Sequence, residues 1–129
     1  MESENISLTE AEWQLMECLW QTSPLTGRQL TEMLADSIGW SRSTTLTLLR
    51  RLEEKGAVES VGDSRVKQFA PKICREDAAL QETEHLLHRI YKGSVSMLVN
   101  ALTQKAPLPQ KEIDELYAIL DEVETRRHD

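Results

Sequence analysis

Two capping boxes near the N-terminus constrain the fold more than any other feature of this sequence. Thr9 is followed by Glu12, and Thr26 by Gln29. In each pair the hydroxyl can accept a hydrogen bond from the backbone N–H three residues later, while the longer side chain accepts from the first residue's own N–H. This reciprocal pattern is typical of a helix start. The sequence therefore predicts one helix over residues 10 to 21 and a second over residues 27 to 36.

A third helix and a short β-hairpin are predicted directly after these. Ser41 is a favourable N-cap, and the helix it begins would run to Lys55. Gly56 follows, and glycine is the residue that most often ends a helix in the left-handed conformation. Apolar and polar residues then alternate around a group of turn residues, which indicates a hairpin. Its predicted strands are 58 to 61 and 66 to 69, its turn is Gly62-Asp63-Ser64-Arg65, and it ends at Pro71 because proline cannot donate to the ladder.

Three helices followed by a hairpin form the winged helix-turn-helix arrangement, in which the last helix enters the DNA major groove. At about 100° per residue, helix 3 has an apolar face and an opposite face of small polar and basic side chains. The outer face suits a groove, because hydroxyls allow close approach, arginine can bind guanine bidentately, and leucine can contact a thymine methyl. The predicted core face is Thr45, Leu48, Leu49 and Leu52. The side chains predicted to bind DNA, including two on the hairpin, are Arg42, Ser43, Thr44, Leu46, Thr47, Arg50, Arg51, Arg65 and Lys67.

The distribution of charge favours the same segment. The chain carries 15 Lys and Arg against 22 Asp and Glu, a net charge of -7, which by itself argues against a nucleic-acid partner. Residues 41 to 72 are the exception, with seven basic and four acidic side chains. Binding to double-stranded DNA would therefore depend on a local basic surface. The alternative from a different class is a winged-helix module that binds protein partners, for which an acidic or apolar helix 3 face is expected.

The sequence after Cys74 returns to helical periodicity, in three segments separated by Gly93 and by Pro107-Leu108-Pro109. Three such short helices have too little apolar surface for a core of their own, so we expect their apolar stripes to meet a second copy. The open alternative is that they fold back on the first 70 residues as one monomeric core. The residues expected at the dimer contact are Leu87, Tyr91, Leu98, Leu102, Ile113, Leu116 and Leu120.

These elements predict a mainly α chain with a small β-hairpin. We expect a winged helix-turn-helix DNA-binding domain at residues 1 to 72 and a helical dimerisation domain at residues 73 to 129.

Three groups of residues carry a resemblance to a known family. They are Ala11-Glu12-Trp13 with Leu19-Trp20 in helix 1, the run from Ser43 to Leu52 with Lys55-Gly56 in helix 3, and Phe69-x-Pro71 at the end of the hairpin. Over residues 6 to 124 the chain resembles the penicillinase-repressor family, the BlaI/MecI/CopY transcriptional repressors. The resemblance implies a homodimeric winged-helix repressor that binds a palindromic operator and is released by an inducing signal.

Two branches of that family differ in the inducing signal. In the copper-responsive branch a C-terminal tail with paired CxC motifs binds metal. The last six residues here, Glu124-Thr125-Arg126-Arg127-His128-Asp129, include no cysteine, so copper sensing by that route is not expected. In the penicillinase branch a membrane sensor's signal leads to cleavage at an Asn-Phe junction in the middle dimerisation helix. The matching position here is Asn100 followed by Ala101, so the asparagine is present and the aromatic residue is not. Cleavage there, involving a membrane sensor protease, and direct sensing of a metal or small molecule are both left open by the sequence.

Other function classes find little support. The N-terminus is acidic and polar, and no apolar run approaches the roughly 18 to 20 residues that span a bilayer, so we expect a cytoplasmic protein without membrane insertion. The sequence has no phosphate-binding glycine loop, nucleophile elbow or HExxH motif, and we therefore expect neither catalysis nor a cofactor. His85 and His88 could share a helix face but have no third ligand of suitable type nearby, so no metal site is expected. Cys18 and Cys74 lack CxxC spacing and are expected to be free thiols.

Overall fold

The computed structural model describes residues 6 to 62 and 65 to 128, and the chain divides into two compact units. The first unit extends to His85 and the second is Leu86–Asp129. In chain order the elements are α1 (Glu10–Gln21), β1 (Leu25–Thr26), α2 (Gly27–Ser37), α3 (Arg42–Lys55), β2 (Val58–Val61), β3 (Gln68–Pro71), α4 (Arg75–Tyr91), α5 (Val95–Leu102) and α6 (Gln110–Arg127). The division between the units falls 13 residues after the predicted domain boundary at residue 72, because α4 begins within the first unit.

The first three helices begin where the capping residues predict. The Glu12 backbone N–H donates to Thr9 Oγ1 over 3.1 Å, and the Thr9 N–H donates to the Glu12 carboxylate over 2.8 Å. The second capping box, at the start of α2, has equivalent bonds of 3.0 and 2.8 Å. Ser41 Oγ accepts the Thr44 N–H at the start of α3, which ends at Gly56 with a φ of 85°. A left-handed conformation of this kind favours glycine, so both predicted ends of helix 3 are confirmed.

The predicted hairpin is part of a three-stranded antiparallel sheet with the strand order β1-β3-β2. Its second strand begins at Gln68, so the prediction that it begins at Val66 is wrong by two residues. Strand β1, whose Leu25 pairs with Phe69, was not predicted. Two residues are too few to show a period-2 pattern, and these two immediately precede a helix cap. The predicted turn includes Asp63 and Ser64, which lie outside the described residues.

The first unit has a continuous apolar core. The three leading helices supply its centre, the sheet closes one side, and Ile73 before α4 and Ala78 on α4 complete it. Trp13 and Trp20 on α1 are partly buried and pack against this core. The largest fully buried apolar side chains are Leu15, Met16, Leu19, Leu30, Leu34 and Leu52. The buried leucines of α3 hold this helix in the core and leave its opposite face in solvent.

The second unit has a different character, because no side chain in residues 86 to 128 is buried. Leu102, Tyr117 and Leu120 are 66%, 70% and 59% exposed. An apolar groove of about 340 Å³ lies between α5 and α6, lined by Val95, Val99, Ile113, Leu116, Tyr117, Ile119 and Leu120. Among the described residues, none of the helices is both long and apolar enough to cross a membrane.

An ion pair joins the first turn of α1 to the last turn of α3. Lys55 Nζ contacts the Glu12 carboxylate and also donates to the Ser7 carbonyl over 2.8 Å. Burial of Glu12 opposes its ionisation, but the bonds from Lys55 and Thr9 outweigh burial and hold the pKa of Glu12 below its ordinary value of 4.5. The carboxylate is therefore ionised at neutral pH, where the pair stabilises the fold.

We expect Glu12→Gln to lower the free energy of unfolding by about 1 kcal/mol at pH 7. Glutamine keeps the capping box, so the substitution removes chiefly the charge that Lys55 contacts. Because the folded-state pKa of Glu12 is lowered, the contribution of the carboxylate is complete above the unfolded-state pKa and is lost as the pH falls through the folded-state pKa. Urea unfolding of both proteins at pH 7 and pH 3 measures the effect, and the difference should shrink at pH 3.

Glu10→Gln is the matched control, because Glu10 is an exposed carboxylate in the same first turn. It should change the stability little at either pH. An equal loss of stability in Glu12→Gln at both pH values would contradict this role for the ion pair.

Candidate nucleic-acid interface

Helix α3 buries one face and exposes the other. Its buried residues are Thr45, Leu48, Leu49 and Leu52, the four that the sequence places on the core face. The side chains exposed on the remainder of the helix include five predicted DNA-binding residues: Arg42, Ser43, Thr44, Arg50 and Arg51. The structure therefore places three arginines and two hydroxyl side chains on the solvent side of one helix.

Thr47 and Leu46 are less accessible than the five exposed DNA-binding candidates of α3. Both are half-buried, and Leu46 packs against the core. The methyl group Cδ2 of Leu46 lies 3.4 Å from the position that a Cβ on Gly27 would occupy, so α2 begins directly against this part of α3. Leu46 is thus partly an α2–α3 packing residue, and only the rest of its side chain is available to a thymine methyl. Helical periodicity alone placed it on the edge of the outer face and gave no sign of the contact with α2.

The N-terminal turn of α3 carries a small network of hydroxyl groups. Ser41 Oγ lies 3.3 Å from Ser43 Oγ and donates to Thr44 Oγ1 over 3.0 Å. All three side chains are exposed and short. A helix N-terminus with short hydroxyl side chains allows a phosphate or a base edge to approach the backbone closely, and its backbone N–H groups favour an anion.

Arg50 lies at the centre of the exposed face, one turn before an acidic residue. Its Nε is 3.9 Å from Glu54 Oε2, and the two side chains are 67% and 70% exposed. An exposed pair at this spacing contributes only about 0.3 to 0.5 kcal/mol. The contact with Glu54 is therefore too weak to withhold the guanidinium from a competing partner.

Further basic side chains flank α3. Arg65 and Lys67 are exposed in the segment between β2 and β3, where the sequence predicts the wing. Arg28, which was not predicted as a DNA-binding residue, follows Gly27 at the start of α2. It forms an exposed ion pair with Glu32, with 3.4 Å between Nε and Oε2. Because Gly27 lies beside Leu46, Arg28 follows a residue that is close to α3. Arg28 could have been identified from the sequence by its position just after the N-cap of α2.

The other sequence candidates lie elsewhere. Leu87, Tyr91, Leu98, Ile113 and Leu116 are half-buried, while Leu102 and Leu120 are exposed. Asn100 is exposed in the last turn of α5, and Ala101 beside it is half-buried.

His85 and His88 are exposed, and among the described residues no three metal-binding side chains lie together. Cys74 is exposed, whereas burial raises the pKa of the half-buried Cys18 thiol.

Comparison with known proteins decides the family. The sequence profile of the penicillinase repressor family matches residues 8–122, which is nearly the whole chain. The chain belongs to this family. The resemblance identified from helix 1, helix 3 and the hairpin is thereby confirmed.

Individual family members show how far the similarity extends. The penicillinase repressor of Bacillus licheniformis is 30% identical over 120 residues, which cover 93% of this chain and 94% of that one. The methicillin resistance regulatory protein MecI of Staphylococcus aureus strain N315 is 27% identical over 121 residues, 94% of this chain and 98% of MecI. The monomeric form of Bacillus licheniformis BlaI, solved in complex with the blaP half-operator, is 30% identical with a TM-score of 0.50 over 55% of this chain and 87% of that chain. The predicted winged-helix fold class is confirmed by this family membership and by the observed three helices and sheet.

Proposed function

We propose that this protein is a DNA-binding transcriptional repressor in which α3 reads the major groove. The observation that carries the proposal is the division of α3 into a buried face and an exposed face of arginines and hydroxyls. Arginine is the side chain that most often reads guanine, and short hydroxyls bring the helix backbone close to the bases. The half-operator complex of the related BlaI supports the same use of the fold.

The contacts divide into two kinds. Arg50 and its neighbours on α3 face the base edges and specify sequence, whereas Arg65 and Lys67 on the wing bind phosphates. Because the chain has a net charge of -7, non-specific attraction to DNA is weak and most of the affinity depends on these residues of the basic segment 41 to 72. We propose a cytoplasmic location, because a repressor acts on DNA and the DNA of the related bacteria lies in the cytoplasm.

We further propose that the active form is a homodimer on a palindromic operator. The absence of buried side chains from residues 86 to 128, together with the apolar groove between α5 and α6, supports pairing of this unit with a second copy. A two-fold dimer presents two identical α3 helices, and the operator then consists of two inverted half-sites.

Release of the repressor could be achieved by cutting α5, and we propose Asn100–Ala101 as the cleavage site. Asn100 is exposed in the last turn of an eight-residue helix, a position that opens at little cost. A membrane sensor protease would be the partner. Co-expression with a cognate membrane protease, followed by intact-mass analysis under induction, should give fragments that end at Asn100 and begin at Ala101. Cleavage elsewhere, or none, would remove this part of the proposal.

A selection experiment tests the central proposal. The full-length protein is used to enrich duplexes from a random-sequence DNA library, and the enriched duplex is compared with a scrambled duplex in titrations at several salt concentrations. We expect an enriched palindrome that binds at least about 10³-fold more tightly than the scrambled duplex. Enrichment of no sequence, or equal affinity for both duplexes, would reject a role as a sequence-specific repressor.

A further inference from the structure

A small cavity lies in the first unit, between the start of α1 and the second turn of α4. Its volume is about 350 Å³, at the lower end of the range for small-molecule sites. The residues that line it are Leu8, Thr9, Glu10, Trp13, Ala79 and Glu82. All of them precede His85, so the cavity is formed without any contribution from the second unit.

The two helices that form the cavity are joined by core packing and by a polar contact. Ala78, next to the lining residue Ala79, is 4% exposed and belongs to the core of the first unit. Three residues earlier, Arg75 donates to both carboxylate oxygens of Glu17 on α1, from Nε over 3.0 Å and from Nη2 over 2.9 Å. A bidentate pair of this kind has a defined geometry. The walls of the cavity are therefore in place before any ligand binds, which lowers the cost of binding.

The more deeply placed lining residues are apolar or aromatic. Leu8 is 8% exposed, and Trp13 and Ala79 are half-buried. The Trp13 ring already takes part in a cation–π contact, with the Arg75 guanidinium carbon 5.6 Å from its centroid. Arg75 is not one of the lining residues, so its guanidinium leaves the cavity open. These side chains suit a ligand with an apolar or aromatic body.

Two carboxylates give the cavity a negative charge. Glu10 is exposed and accepts one hydrogen bond, from Gln14 Nε2 over 3.1 Å. Glu82 is half-buried, yet its carboxylate forms no hydrogen bond or ion pair with the part of the chain that the structure describes. A half-buried carboxylate without a partner has lost hydration that nothing replaces. Because none of the six lining residues is basic, a cationic ligand is the partner that would compensate this charge.

We propose that this cavity binds a small organic cation with an apolar or aromatic body. The ammonium group pairs with Glu82, assisted by Glu10, while the body packs against Leu8, Trp13 and Ala79. A metal ion does not fit, because among the described residues no three metal-binding side chains lie together. The net charge of -7 favours the approach of any cation. None of the lining residues belongs to α3, so the inference does not depend on the proposed function.

Three probes of similar shape and different charge test the proposal: phenethylammonium, phenethyl alcohol and phenylacetate. Each is titrated into the isotope-labelled full-length protein without DNA, and binding is followed by the NMR shifts of the Trp13 indole N–H and of the Ala79 and Glu82 amides. We expect the ammonium to bind about fivefold more tightly than the alcohol, the largest effect usual for one partly exposed ion pair. Phenylacetate should bind more weakly than the alcohol, because its carboxylate meets two others.

Two variants and a control locate the site. Glu82→Gln should weaken binding of the ammonium by about fivefold and change the affinity for the alcohol by less than twofold. Ala79→Leu should abolish binding of both probes, because the larger side chain fills part of the cavity. Glu84→Gln is the matched control, since it removes an exposed glutamate of the same helix that does not line the cavity. It changes the net charge by the same amount and should bind both probes like the unmodified protein.

Equal affinity of the unmodified protein for the ammonium and the alcohol would overturn the inference, as would no binding at millimolar concentrations. An equal loss in Glu82→Gln and Glu84→Gln would overturn it too, because the attraction would then come from the net charge of the protein. Shifts confined to residues away from the cavity would place the cation elsewhere, with the same consequence. Thermal unfolding verifies that each variant is folded, and if Ala79→Leu is not, the comparison of Glu82→Gln with Glu84→Gln decides alone.

Discussion

Leu120→Asp is expected to convert the proposed homodimer into a monomer. Leu120 is 59% exposed and lines the apolar groove between α5 and α6, so in a dimer it would lie in the contact between the copies. A buried and unpaired carboxylate costs several kcal/mol, which is comparable to the whole free energy of a modest interface. Sedimentation velocity at micromolar concentration should show a dimer for the unmodified protein and a monomer for the variant.

The same substitution should lower affinity for the palindrome by about 10²- to 10⁴-fold, because the two half-sites would no longer be bound by one linked molecule. Affinity for a single half-site should be retained. Thr125→Asp is the matched control, since it adds one negative charge to an exposed polar position of α6. A stable monomer of the unmodified protein in the sedimentation experiment would refute the dimer directly.

Arg50→Ala should reduce affinity for the operator by roughly 1 to 3 kcal/mol and relax the preference at one base pair in each half-site. This is the loss expected for a bidentate contact to a base. Because Arg50 is 67% exposed and only weakly paired with Glu54, its removal should leave the fold unaffected. Titration against the operator and against duplexes substituted at single positions measures both effects.

Lys67→Ala is the matched comparison for Arg50→Ala, because it should remove a phosphate contact and leave the base contacts in place. Lys67 is exposed on the wing, and a lost phosphate contact should weaken binding to operator and scrambled DNA about equally. The slope of log affinity against log salt should fall by about one per site. If Arg50→Ala leaves the sequence preference unchanged, the proposed reading face of α3 is the wrong one.

Local chemistry made much of this fold readable from the sequence. A capping box fixes a helix start within four residues, and the faces of α3 follow from the 3.6-residue period, so both could be predicted at the level of single residues. The second strand was misplaced by two residues because alternation through Val66 and Lys67 continues beyond the paired segment. The partial burial of Leu46 depends on how closely α2 approaches, which no local pattern encodes.

The contact between Glu17 and Arg75 lay beyond sequence reasoning for the same reason. Glu17 and Arg75 are 58 residues apart in the chain, and each alone looks like an ordinary surface charge. Only tertiary packing brings them together.

Residues 86 to 128, the part of the second unit that the structure describes, bury no side chain, and this has a consequence for how repression would end. A segment without buried side chains has little folding free energy as a monomer, so in the proposed dimer its folding and its pairing become one event. The amount of structured protein then depends on its concentration in the cell. We expect a cut in α5 to leave fragments that can neither pair nor stay folded, and general proteases would clear them. Induction would then be irreversible for each molecule, and repression would return only with new synthesis.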